Sequence, residues 1–87
     1  MYIFILVGYE LVRRSTDCPV NAKKMIGAWG KNDVEEKLER CANEVKLDSE
    51  CSATFFYRAD KGRCFCELVG APCDRGQDSR IHEYRTV

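Results

Sequence analysis

Cysteine is the residue type whose number and spacing carry the most chemistry in this sequence. The chain has six cysteines among 87 residues, an even number spread over most of its length. They are Cys18, Cys41, Cys51, Cys64, Cys66 and Cys73. Three disulfides among them would each stabilise the fold by roughly 2–4 kcal/mol, by restricting the unfolded chain. Such bonds persist outside the cell or in an oxidising lumen, so the sequence predicts an extracellular or lumenal protein.

A metal site is the alternative use of these cysteines. Zinc sites usually combine a C-x2-C pair with a second such pair or with two histidines. The close pair here, Cys64 and Cys66, has one intervening residue, and His82 is the one histidine of the chain. We therefore predict disulfides, with no metal and no cofactor. The spacing also argues against a redox role for Cys64 and Cys66, since oxidoreductase motifs have two intervening residues.

Catalysis and nucleic-acid binding are not indicated. Catalysis needs a nucleophile and a base within reach of each other, and no serine or free thiol is placed by spacing to use His82. We predict that His82 is structural or solvent-exposed and that the chain is not an enzyme. Fourteen basic and fourteen acidic residues give zero net charge, which offers no electrostatic footprint for nucleic acid or an anionic membrane. The apolar run at residues 2–7 is shorter than the ~20 residues that span a bilayer.

The hydrophobic pattern predicts one helix and several strands. Residues 32–46 carry an apolar stripe at three- and four-residue steps, formed by Val34, Leu38, Cys41 and Val45, which is typical of a helix packed on one side. Asn32 and Glu35 predict a capping box at its start. Strands are predicted at 2–13, 51–58, 63–69 and 81–86, and residues 23–29 are either a short strand or irregular. The fold class is therefore α+β, with one helix packed on a twisted antiparallel sheet.

The predicted hairpin limits the choice of disulfides. With its turn centred on residues 60–61, Tyr57 faces Cys64 and Phe55 faces Cys66, so both cysteines point to the helix side of the sheet. In a regular ladder, Cys51 would lie on the order of 13 Å from the position opposite Cys66, which is too far for a disulfide. Cys51 is then expected to join Cys73. Cys41 joins Cys64 or Cys66, and Cys18 takes the other; we favour Cys41–Cys64, Cys18–Cys66 and Cys51–Cys73.

Several apolar residues are predicted to contact a partner. Residues Tyr2, Ile3, Phe4 and Ile5 are apolar on both faces of the first predicted strand, and Trp29 is of a type enriched at binding hot spots. Phe56 and Phe65 project from the hairpin face opposite the cysteines and would form an exposed patch unless another layer covers them. The alternative is that the side chains of Trp29, Phe56 and Phe65 are buried. In that case the terminal strands or Trp29 would cover the two phenylalanines.

Four segments resemble the PAN/apple domain family, and particularly short PAN-like proteins of algae and protists. The segments are residues 39–42 (ERCA), 48–51 (DSEC), 55–57 (FFY) and 62–66 (GRCFC). The resemblance covers residues 31–73 and implies that Cys41 of the helix bridges to Cys64 of the second hairpin strand. The family's second helix cysteine is replaced here by Val45, so Cys51 lacks its usual partner, and Cys66 and Cys73 are additional.

The resemblance implies a non-catalytic module that binds proteins or carbohydrates. We expect one domain over residues 1–87, with its core motif at 31–73, an N-terminal strand at 2–13 and a C-terminal strand at 81–86. We expect it to dock onto protein partners, including as a small peripheral subunit of a larger complex. The alternatives are a carbohydrate-binding module, a lumen-side accessory subunit of a photosynthetic complex in the thylakoid of an alga, and a protease inhibitor.

Overall fold

The computed structural model describes residues 8–87, which form an antiparallel sheet with one helix packed against it. The predicted strand at 2–13 is observed from Tyr9 onwards, while Tyr2, Ile3, Phe4 and Ile5 lie outside the described residues. In chain order the elements are β1 (Tyr9–Arg13), β2 (Thr16–Asp17), a turn of 3-10 helix (Val20–Ala22), β3 (Lys23–Ala28), α1 (Val34–Leu47), β4 (Cys51–Arg58), β5 (Arg63–Leu68), β6 (Gly76–Gln77) and β7 (Ile81–Thr86). The α+β prediction is therefore confirmed.

Five strands form the main sheet in the order β1-β7-β4-β5-β3, and β2 pairs with β6 in a small second sheet. The β4–β5 hairpin has the predicted register near its turn, since Tyr57 pairs with Cys64 and Phe55 with Cys66. Residues 23–28, whose pattern left a strand and an irregular segment open, form β3 beside β5. As far as residues 8–87 extend, β1 and β3 are the two edges of this sheet.

The helix buries one stripe of side chains against the sheet. Leu38, Cys41, Ala42 and Val45 are buried there, together with Phe55, Tyr57, Cys64 and Cys66 of the hairpin. The predicted N-cap was one residue early, because Asp33 and not Asn32 holds the N-cap position. Asp33 has a φ of +54° and makes no side-chain capping bond. The predicted capping box is therefore wrong, and Val34 remains 36% exposed at the first turn.

The disulfides confirm one predicted pair and correct two. Cys41 of α1 is bonded to Cys64 of β5, as predicted. Cys51 is bonded to Cys66, with their Cα atoms 5.5 Å apart. The predicted Cys51–Cys73 pair assumed a regular ladder, but the register shifts between Cys51 and Phe55, so that Cys51 pairs with Leu68. This irregularity in β4 shortens the path along the ladder and brings Cys51 within reach of Cys66.

The third disulfide, Cys18–Cys73, belongs to a second core on the other face of the sheet. There Cys18, Ala22, Phe56 and Ile81 are buried, with Phe65, Ala71 and Cys73 packed against them. The predicted Cys18–Cys66 pair is wrong because Cys66 lies in the core under the helix, with the sheet between it and Cys18. The segments on either side of the Cys18–Cys73 bond thus form a third layer.

Two glycines let the hairpin turn pack directly against the segment that leads into α1. Gly62 is buried and has a φ of +62°, a conformation that side chains with a Cβ rarely adopt. A Cβ at this position would lie 1.8 Å from the carbonyl oxygen of Gly30. The Gly62 carbonyl also accepts a hydrogen bond of 2.9 Å from the Trp29 amide. This contact sets the position of Trp29 and of the chain that enters the helix.

Candidate functional site

His82 has a structural contact that accounts for its position. Its Nδ1 accepts a hydrogen bond of 2.9 Å from the backbone N–H of Ser15. Ser15 has a φ of +52° at the corner between β1 and β2, and the bond ties this corner to β7. A histidine whose Nδ1 accepts from an amide carries no proton on that nitrogen. The observed contact of His82 is therefore with the backbone of this corner.

The cysteines are all used in disulfides. The sulfurs of Cys18 and Cys73 and a carboxylate oxygen of Glu67 lie within 4.8 Å of one another. A thiolate is the form of cysteine that binds metals, and the disulfide removes both thiolates. Within the described residues, this cluster therefore has no thiolate that could bind a metal together with the Glu67 carboxylate.

The three predicted aromatic contact residues are covered to different degrees. Phe56 is fully buried in the second core, so its prediction as a surface residue is wrong. The cover comes from the layer around the Cys18–Cys73 disulfide, and Ile81 of the C-terminal strand belongs to the same buried cluster. This layer consists of irregular segments and two-residue strands, which a hydrophobic pattern does not predict.

Trp29 and Phe65 are half-buried, and a cation lies over each ring. The Arg40 guanidinium carbon is 4.2 Å from the Trp29 ring centroid, and the Lys23 Nζ is 4.3 Å from that of Phe65. The Trp29 ring also lies against Gly27, where a Cβ would approach it to 2.4 Å. These contacts hold both rings against the protein, which disfavours them as free anchors for a partner.

A groove between β3 and the end of α1 contains the apolar surface that the sequence patterns missed. We call it the helix-end groove; it has a volume of about 540 Å³ and is open to solvent. Leu47, the last helical residue, is 87% exposed, and Met25 is 51% exposed. The lining residues are Lys24, Met25, Ile26, Glu44, Leu47, Asp48 and Ser49. Leu47 falls outside the predicted helix end, so no pattern marked it.

An ion-pair cluster forms the polar side of the helix-end groove. The Lys24 Nζ lies 2.6 Å from Oδ2 of Asp48 and 3.1 Å from Oε1 of Glu50. These hydrogen bonds raise the pKa of Lys24, and the bond from Lys24 lowers the pKa of Asp48. Glu44 lines the groove as well and has Arg40 at 3.7 Å. The lysine is thus already paired, and acidic charge is in excess around it.

A second groove lies at the opposite edge of the sheet, where β1 continues into β2. We call it the arginine groove; its volume is about 590 Å³ and it is open to solvent. It is lined by Arg13, Arg14, Ser15, Thr16, Arg75, Gly76 and Gln77. Glu83, of which 2% is exposed, lies beside it and is bound by Arg75. This hydrogen bond raises the pKa of Arg75 above its ordinary value.

Membrane insertion by a helix finds no support in the described part of the chain, because α1 is too short and too polar to cross a bilayer. Three disulfides are typical of an oxidising environment.

Comparison of the chain with protein-family models, with curated proteins and with solved structures finds no match.

Proposed function

We propose that this protein is a non-catalytic, disulfide-stabilised module of the PAN/apple type that docks onto protein partners. The observation that carries the proposal is the exposed Leu47 in the helix-end groove. Three disulfides support a rigid scaffold, and rigid scaffolds lose little conformational entropy on binding. They also support an extracellular or lumenal location, including service as a small subunit of a larger complex.

Burial of the apolar part of the groove contributes favourable free energy to docking. Burial of a leucine side chain that was exposed contributes roughly 1.5–3 kcal/mol. Leu47 has 87% of its surface exposed, and Met25 on the neighbouring edge strand is half exposed. An apolar side chain of a partner that contacts both would remove these surfaces from water. The groove therefore favours a partner segment with at least one large apolar residue.

The charges of the groove indicate what should flank that apolar residue. Lys24 is the one cation that lines the groove within residues 8–87, and it is bonded to both Asp48 and Glu50. Glu44 also lines the groove, but Arg40 approaches it to 3.7 Å. The excess therefore rests on Asp48 and Glu50 around one lysine. A lysine or arginine of the partner would complement this excess, so we propose a segment in which a basic residue stands close to an apolar one. Steering by such charges weakens as salt is added.

The Cys41–Cys64 bond supports the PAN/apple assignment, because the resemblance implied a bridge between the helix and the second hairpin strand. It also fixes the helix on the sheet, and the helix end forms one wall of the groove. The helix wall of the groove therefore belongs to a covalently crosslinked scaffold.

The proposal can be tested by selecting peptides from a displayed random library on the folded, disulfide-intact protein. We expect the selected peptides to combine an apolar residue with lysine or arginine. Their addition should shift the backbone amide resonances of residues 24–26 and 44–49. Leu47→Glu should weaken binding by at least about tenfold, which corresponds to about 1.4 kcal/mol. Val20→Glu is the matched control, because Val20 is 85% exposed and lies away from the groove.

Two results would contradict the proposal. One is a selection that yields no binding peptide, or peptides whose binding is unchanged in Leu47→Glu. The other is a loss of binding in the Val20→Glu control of the same size as in Leu47→Glu.

A further inference from the structure

Two arginines from distant parts of the chain meet over one buried carboxylate. Arg75 donates to Oε1 of Glu83 from Nε at 2.6 Å and to Oε2 from Nη2 at 3.3 Å. Arg13 approaches the same Oε1 with Nη1 at 3.5 Å. Because one oxygen atom is shared, the two guanidinium groups lie side by side at the arginine groove. Only 3% of the Glu83 side chain is exposed, compared with 55% for Arg13 and 33% for Arg75.

Arg13 is not required to compensate the charge of Glu83. Arg75 already binds both carboxylate oxygens in the forked geometry that suits a guanidinium, whereas the Arg13 contact is at the long limit of a hydrogen bond. Glu67 gives Arg75 a second acidic neighbour at 3.8 Å. Counted together, Arg13 and Arg75 balance Glu83 and Glu67, and within residues 8–87 Glu83 is the one acceptor for the N–H donors of Arg13.

Arg14 gives the groove one positive charge beyond this balanced cluster, since it makes no ion pair within residues 8–87. Among the described residues that line it, three are arginines and none is acidic, although the chain as a whole has zero net charge. The other lining residues include Ser15, Thr16 and Gln77, which are polar and small enough to leave space beside the guanidinium groups. Three guanidinium groups around one groove attract a further anion, because Glu83 and Glu67 balance only two of them.

We infer that the arginine groove binds an oxyanion group of a ligand, held by the guanidinium groups of Arg13 and Arg75. Sulfate, phosphate and carboxylate groups share the chemistry that this site recognises, since each offers two oxygens to the planar fork of an arginine. The site lies at the β1 edge of the sheet, away from the helix-end groove at β3. The inference therefore does not depend on the proposed function.

The inference can be tested by adding sodium sulfate to the folded protein and following backbone amide resonances. Sodium chloride should keep the ionic strength constant, because general screening would otherwise contribute. We expect shifts that saturate and that are confined to residues 13–16 and 75–77. Parallel titrations with phosphate and with acetate distinguish the three kinds of oxyanion, and saturation by at least one of them supports the site.

Arg13→Gln is the decisive variant, because it removes the exposed cation and leaves Arg75 on Glu83. We expect the affinity for the preferred anion to fall by about tenfold or more. Arg40→Gln is the control; Arg40 is similarly exposed at 54% and also faces an acidic residue, but it lies on the helix. Shifts that never saturate, equal affinity in Arg13→Gln, or an equal loss in Arg40→Gln would overturn the inference.

Discussion

Replacing Gly62 by alanine should destabilise the protein much more than the same change at Gly70. Both glycines have a φ in the left-handed region, +62° and +77°. A Cβ at Gly62 would lie 1.8 Å from the backbone oxygen of Gly30, whereas a Cβ at Gly70 meets nothing within 4 Å. The two substitutions therefore share the conformational penalty and differ in the backbone overlap.

The structure sets the size of the two effects. An alanine held in the left-handed region costs roughly 1–2 kcal/mol, which is the whole effect expected for Gly70→Ala. An overlap in a packed region adds roughly 1–3 kcal/mol. Gly62→Ala should therefore cost about 2–5 kcal/mol, because a backbone oxygen cannot rotate away as the end of a side chain can. Moving Gly30 would also strain the hydrogen bond between the Trp29 amide and the Gly62 carbonyl.

Guanidinium unfolding of the oxidised proteins, followed by far-ultraviolet circular dichroism, measures both differences. A change of 1 kcal/mol corresponds to a shift in Tm of about 4–8 °C for a domain of this size, so thermal unfolding gives a second readout. Equal losses of stability in Gly62→Ala and Gly70→Ala would refute the reasoning. In that case the close approach of Gly30 and Gly62 would contribute nothing beyond the conformation of the turn.

Two further predictions concern polar groups. The hydroxyl of Tyr57 is buried and has no hydrogen-bond partner among residues 8–87. Tyr57→Phe should therefore raise the free energy of unfolding by about 1 kcal/mol. A lower denaturant concentration at the unfolding midpoint would contradict this. Hydrogen bonds from Arg80 lower the pKa of Asp78 below its ordinary value of 3.8. The stability that this carboxylate contributes is present above that value and is lost as the pH falls through the folded-state pKa. Unfolding midpoints measured at pH 6 and pH 2 should therefore differ less in Asp78→Asn than in the unchanged protein, and an identical difference would contradict the prediction.

The parts of the fold that depend on neighbouring residues could be predicted from the sequence. The stripe on α1 and the alternation in the hairpin are local patterns, and together they placed Cys41 and Cys64 on facing surfaces. The turn at residues 60–61 fixed the register near Tyr57 because few residues separate the two strands. These predictions needed no knowledge of distant segments.

The parts that failed depend on irregular backbone. The shift between Cys51 and Phe55 has no signature in residue type, and it brings Cys51 to Cys66 in place of Cys73. The cover over Phe56 comes from segments far apart in sequence, joined by the Cys18–Cys73 bond across 55 positions. The lining of each candidate groove likewise comes from segments that are far apart in the sequence. Leu47 and the pair of Arg13 and Arg75 could therefore be recognised only in three dimensions.

Two of the three disulfides crosslink one part of the molecule, while three strands of the main sheet contain no half-cystine. The Cys41–Cys64 and Cys51–Cys66 bonds both lie within α1, β4 and β5, while β1, β3 and β7 contain no cysteine. Local unfolding can separate β1, β7 or β3 from the sheet without breaking a disulfide, whereas α1, β4 and β5 stay crosslinked when their hydrogen bonds open. Amide protons of β5, tied at two positions, should be the slowest to exchange with deuterium, and those of β1 should be among the fastest in the main sheet.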